Sequence, residues 1–260
     1  MTDESPTGRT LPPPSPPSPQ PPGRHRPAGR HRPAGGRDVP GVPSTASSAR
    51  ADWLVPAALI VLSAVPMIAG TARLTELTGG AEITPENARF FAAPVPVVLH
   101  IVAVSVYSVL GAFQFAPRFR RRRPGWHRAA GRVLVPSGLV AALTGLWMTV
   151  SYPYPAGGSD LLSGVRLVAG TAMALAIVAG LAAIRRRDIA RHRAWMIRGY
   201  AIGLGAGTQV LTHLPWFLLL GAPGETATAL LMAAGWVINV AVAEWAIRRR
   251  PVARRVRLSS

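Results

Sequence analysis

The chain has no cysteine, no lysine, and only 11 acidic residues among 260. Without cysteine there is no disulfide, no thiolate nucleophile, no iron–sulfur cluster and no cysteine-ligated zinc. Without lysine, all 29 basic residues are arginine, and the formal net charge is +18. The excess of Arg, Ala, Gly and Pro reads as a GC-rich coding style rather than a functional signature. No P-loop, Rossmann glycine pattern, HExxH or G-x-S-x-G motif occurs, so the common nucleotide, zinc-protease and serine-hydrolase chemistries have no foothold.

What the chain does have is segregation. Mean hydropathy is +0.25 in spite of the charge. A soluble basic domain would spread its arginines over an amphipathic fold, whereas here they cluster between long apolar blocks. That pattern excludes an ordinary nucleic-acid binder.

Residues 1–50 hold 13 of the 26 prolines and a duplicated hexapeptide, Gly23–Ala28 and Gly29–Ala34. Such a proline-rich polar segment buries too little to offset its ordering entropy, and it reads as a disordered cytoplasmic tail. A sharper alternative is an Arg/His-rich contact with anionic lipid head groups. It is not a signal peptide, because nothing apolar follows its basic residues before Trp53.

From Trp53 on, six apolar blocks run over 53–72, 94–115, 133–152, 162–184, 197–220 and 226–247. Each approaches or exceeds the ~20 residues a helix needs to cross a bilayer. The blocks are continuous rather than alternating, which selects helices over a barrel. The expectation is an all-α integral membrane bundle of six transmembrane helices over residues 51–250, followed by a basic cytoplasmic tail over 251–260.

The arginines predict orientation. Arg118–Arg132 contains seven Arg and no acid, Arg185–Arg198 six Arg and one acid, and Arg248–Arg257 six Arg. The alternate connections carry Arg73, Glu76, Glu82, Glu86 and Arg89, then Asp160 alone, then Glu225 alone. The positive-inside rule therefore places both termini in the cytoplasm of a cell bounded by the plasma (inner) membrane. The two Arg-rich connections also resemble each other. Arg121–Arg123 leads to His127-Arg128-Ala129, and Arg185–Arg187 leads to His192-Arg193-Ala194. Spans 2–3 and 4–5 thus read as two parallel helical-hairpin repeats.

Four histidines remain once topology is accounted for. His100 in span 2 and His213 in span 5 both lie in the outer half, about 8 and 10 Å deep at the helical rise. His127 and His192 share the inner interface. Neutral imidazole is a haem ligand, so a b-type haem held by His100 and His213 on spans 2 and 5 is one reading. The other is packing or hydrogen bonding alone. Two stacked haems fit poorly, because His192 and His213 are 21 residues apart, ~31 Å along a helix, against the ~20 Å expected. Met148, at similar depth in span 3, is an alternative axial ligand. At the inner face, His127 and His192 fall in or near first turns, with Pro124 and Asp188 suited to starting those helices. Backbone N–H groups and Arg there favour an anionic lipid or a phosphate-bearing ligand. The candidates for that site are Gln114, His127, Arg128, Arg132, His192, Arg193, Trp195 and Arg198. Arg166, near the outer start of span 4, either snorkels to the surface or turns inward to Glu225 or an anionic ligand. Glu244, the one carboxylate within the spans, is expected to pair with Arg248 at the surface. A third functional reading is a small transporter with its site at the hairpin interface.

Four stretches carry a family resemblance. They are His100 followed by Gly111 and Gln114-Phe115; His127-Arg128 with Gly131-Arg132; His192 through Arg198 with Tyr200; and Trp236, Asn239 and Ala243-Glu244-Trp245 followed by Arg248. Together they resemble a bacterial family of predicted membrane proteins known as domain of unknown function 2306, over roughly residues 95–250. The resemblance implies a compact multi-span bundle. It brings no activity, substrate or cofactor, and His213 is not clearly part of its pattern.

Overall fold

A computed structural model describes residues 45–153 and 159–249, with side chains from Trp53 onward. The tail expectations for residues 1–44 and 251–260 lie outside the described residues. Every regular element among the described residues is helical. In order they are α1 (Thr45–Gly79), α2 (Ala88–Ala92), α3 (Pro94–Phe113), α4 (Pro117–Arg122), α5 (Pro124–Ser151), α6 (Asp160–Arg185), α7 (Ile189–Gly203), α8 (Gly205–Leu220) and α9 (Glu225–Arg248). The helix α1 starts before residue 50, so the segment read as tail ends in a helix.

Among the described residues, five helices are long and apolar enough to cross a membrane: α1 from Trp53, α3, α5, α6 and α9. The fifth apolar block differs from expectation. It is two helices in series, α7 and α8, which meet at Leu204. The break frees backbone carbonyls, and α9 satisfies two of them. Trp236 Nε1–H donates to the Ile202 carbonyl at 3.1 Å, and Asn239 Nδ2–H donates to the Ala201 carbonyl at 3.0 Å. Thr208 then donates to Asn239 Oδ1 at 2.7 Å. A helix break in an apolar environment persists only when neighbours re-satisfy its backbone in this way.

Helix starts follow sequence chemistry. Pro124 opens α5, where its missing N–H is no loss. Asp188 Oδ1 accepts from Arg191 N–H at 2.9 Å and caps α7, and Ser159 Oγ accepts from Leu162 N–H at 3.2 Å and caps α6.

The interior is built from small residues and two tyrosines. Tyr107, Ile177, Ala141, Ala142, Met173, Tyr200 and Leu204 form its core. Gly111 leaves the space that the Tyr200 ring fills, and Tyr200 donates to the Ser108 carbonyl at 2.7 Å. Large apolar residues such as Val61, Val150, Val168 and Leu219 stay on the outside. Small residues inside and large apolar residues outside is the distribution of a bundle whose solvent is lipid. This is a multi-pass membrane protein.

Candidate functional site

A cavity of about 360 Å³ opens between α3, α5, α6, α7, α8 and α9, toward the end of the bundle that carries few arginines. Its wall is mostly apolar, with a few converging polar groups: Arg89, His100, Arg166 and Gln209. No carboxylate lines it among the described residues.

His100 projects from α3 against α5. Its Nδ1–H donates to the Ala141 carbonyl at 2.9 Å and lies 3.1 Å from Thr144 Oγ1. The threonine hydroxyl already donates to the Val140 carbonyl at 2.6 Å, so its oxygen can only accept from the imidazole. Two acceptors therefore fix the proton on Nδ1 and leave the lone pair on Nε2. The ring lies over Gly145, where a side chain would press on Cε1. Glycine is the residue that lets the imidazole reach the cavity there.

The two arginines come from different elements. Arg89 stands on the short helix α2, over the face of Phe90 at 4.6 Å. Burial, then the neighbouring Arg73, push its guanidinium below the ordinary arginine value. It remains a cation, as arginine does throughout the physiological range. Arg166 comes from α6 and is half-buried. Its guanidinium lies 3.8 Å from the Met232 sulfur, and it lines the same cavity as Arg89. Of the two fates open to Arg166 from sequence, the structure gives the inward one, toward the cavity. Arg73 is already paired with Glu76. The connection that presents Arg89 is held by Asn87, which accepts from Thr84 N–H at 2.7 Å and donates to the Glu82 carbonyl at 3.0 Å.

His213 is not brought to this cavity. Its Nδ1–H donates to the Gln209 carbonyl of its own helix at 2.8 Å, and Gln209 rather than His213 reaches the wall. The depth of His213 matches that of His100, but its direction around α8 does not. Met148 does line the cavity, together with Met173 and Met232.

At the Arg-rich end, His127 and His192 each occupy the fourth residue of their helices, α5 and α7. The imidazoles are close enough to interact electrostatically. His127 Nδ1 pairs with Gln114 Oε1, and His192 Nδ1–H donates to the Gly180 carbonyl at 2.8 Å. The Gln114 amide nitrogen is buried with no partner, while Arg120 donates to the Gln114 carbonyl at 3.3 Å. Arg128, Arg132 and Arg193 are exposed. Arg198 is not available to a ligand in the same way. It grips Glu244 with two hydrogen bonds, 2.5 and 3.1 Å, and lies over the Trp195 ring at 4.7 Å. Arg248, the partner expected for Glu244, stands 3.9 Å away and is mostly exposed. The tight partner comes instead from 46 residues earlier in the chain.

Sequence reasoning missed Arg89, Gln209, Met173, Met232 and Trp236 as members of one site. Arg89 carried no signal, since it sits in a connection whose charges read as topology. Trp236 did carry one, as part of the resemblance pattern.

No curated protein and no solved structure matches the chain. The family model that matches is described as "Predicted membrane protein (DUF2306)" and covers residues 97–247. The match takes in His100, the α7–α8 break and every cavity-lining span from α3 to α9. The chain belongs to the DUF2306 family of predicted membrane proteins.

Proposed function

We propose that this protein binds an anionic amphiphile, a molecule with an apolar body and a negative head, in the cavity between α3 and α5 through α9. One observation carries the reading: two guanidiniums, Arg89 and Arg166, line one mostly apolar cavity that has no carboxylate on its wall among the described residues. Partly buried like charges are costly unless something neutralises them. A ligand whose anionic group sits between them and whose body fills the cavity supplies that neutralisation. The cavity size and its mostly apolar wall suit such a ligand.

A fluorescent fatty acid tests it. Losing one charge-assisted hydrogen bond costs about 1.5–3 kcal/mol. Arg166→Gln should therefore weaken binding by about tenfold or more, and Arg89→Gln should weaken it in the same direction. Equal affinity of wild-type and both variants would overturn the reading.

At the other end, the exposed Arg128, Arg132 and Arg193 suit contact with anionic lipid head groups, each near-surface arginine adding about 1 kcal/mol. Arg198, paired with Glu244 yet partly exposed, stands beside that set. The reading also carries six spans with both termini in the cytoplasm. The matched positions of His127 and His192, each fourth in its helix, support the hairpin duplication.

A further inference from the structure

We infer that the amphiphile is haem b, with His100 Nε2 as an axial ligand to its iron. This rests on the cavity reading above and names its ligand. The wall makes two opposite demands. The arginines call for negative charge. His100 calls for the reverse, because its Nδ1 proton is held by the Ala141 carbonyl and Thr144 Oγ1, and its Nε2 lone pair makes no hydrogen bond among the described residues. A carboxylate placed against that lone pair would be repelled. A simple fatty acid meets the first demand and leaves the second unmet.

Haem meets both, since it offers an electron-poor iron at its centre and two propionates at one edge. Metal-bound imidazoles characteristically donate their other N–H to a carbonyl, which orients the ring and raises its basicity. His100 is already held in that state, so coordination displaces no proton. The two propionates match the two arginines in number and sign. The same wall also carries thioethers, from Met148 and Met173, as candidates for a second donor. Histidine with methionine is an established haem ligand pair. His213 is left out, because it is turned back onto its own helix.

The test uses the full chain, expressed with haem precursor supplied and purified in detergent. Oxidised and dithionite-reduced visible spectra of the wild type should show a Soret band and sharp reduced bands at near one haem per chain. His213→Ala should keep them. His100→Gly should lose at least nine-tenths of the Soret absorbance, and added imidazole should restore it. That rescue separates ligation from a merely structural role. Arg166→Gln should release haem to an acceptor such as apomyoglobin at least tenfold faster. A featureless spectrum from monodisperse wild-type protein would overturn the inference, and so would a Soret band unchanged in His100→Gly. If haem is absent while the fluorescent fatty acid still binds in an Arg166-dependent way, the haem inference fails and the amphiphile reading stands. If neither binds, both fail.

Discussion

Glu244 chooses between two arginines, and the structure reverses the order expected from the sequence. Arg248 is one turn away on the same helix, the partner that spacing favours. Arg198 comes from α7 and makes both short hydrogen bonds. Both partners of the Arg198 pair keep over a quarter of their side-chain surface exposed. Solvent screening therefore holds the pair to about 1 kcal/mol. Glu244→Gln, which keeps the shape and removes the charge, should lower unfolding stability in mixed micelles by about that amount. Arg248→Gln should change it by no measurable amount, and a double-mutant cycle should find coupling between Glu244 and Arg198 alone. Stronger coupling to Arg248 would reverse this ranking. Residue type was legible here, since a lone carboxylate within the spans was bound to seek arginine. Its partner was not, because the contact depends on how α7 packs on α9. The same limit applies to His213, whose depth follows from counting residues and whose direction follows from packing.

At the scale of the element, α7 and α8 show both what hydropathy reveals and what it hides. The apolar block 197–220 was plain in the sequence. The break at Leu204 was not visible, because it depends on Trp236 and Asn239 reaching across from α9 to take the freed carbonyls. Gly205 makes that reach possible. Any side chain on it would run into the Trp236 indole. Gly205→Val should displace the ring, weaken its hydrogen bond to Ile202 and cost about 1–3 kcal/mol. Gly131→Ala on α5 is the contrast. Nothing lies within 4 Å of its added methyl group, and the helix should gain up to about 1 kcal/mol. Unfolding stability, with tryptophan emission reporting the indole environment, checks both. Because Ile202, Gly203, Ala206 and Trp236 also line the cavity, the Gly205 substitution should disturb ligand binding as well. The cavity itself was illegible in the sequence for a related reason. It is the space left between α3 and α5 through α9, and no single stretch of chain encodes it.

For the whole molecule, the number of crossings decides where the arginines lie. If only the five long helices crossed, the termini would sit on opposite sides of the membrane. The arginines after α9 would then face away from those of the α3–α5 and α6–α7 connections. If α7 and α8 together make a sixth crossing, all three arginine-rich segments share one side, as the positive-inside rule requires. The two helices span residues 189–220, well beyond the ~20 needed to cross, so length permits it. The absence of cysteine makes the experiment direct, since each introduced thiol is the only one in the chain. Thr78→Cys, Gly125→Cys, Ala190→Cys and Ala222→Cys all fall at exposed positions. A membrane-impermeant maleimide added to intact cells should label positions 78 and 222, and should reach 125 and 190 only after permeabilisation. Labelling of 78 without 222 would show that α7 and α8 form a re-entrant pair rather than a crossing. Labelling of 125 and 190 in intact cells would invert the orientation. In either case the cavity would keep its walls, but the side from which an amphiphile enters it would have to be assigned again.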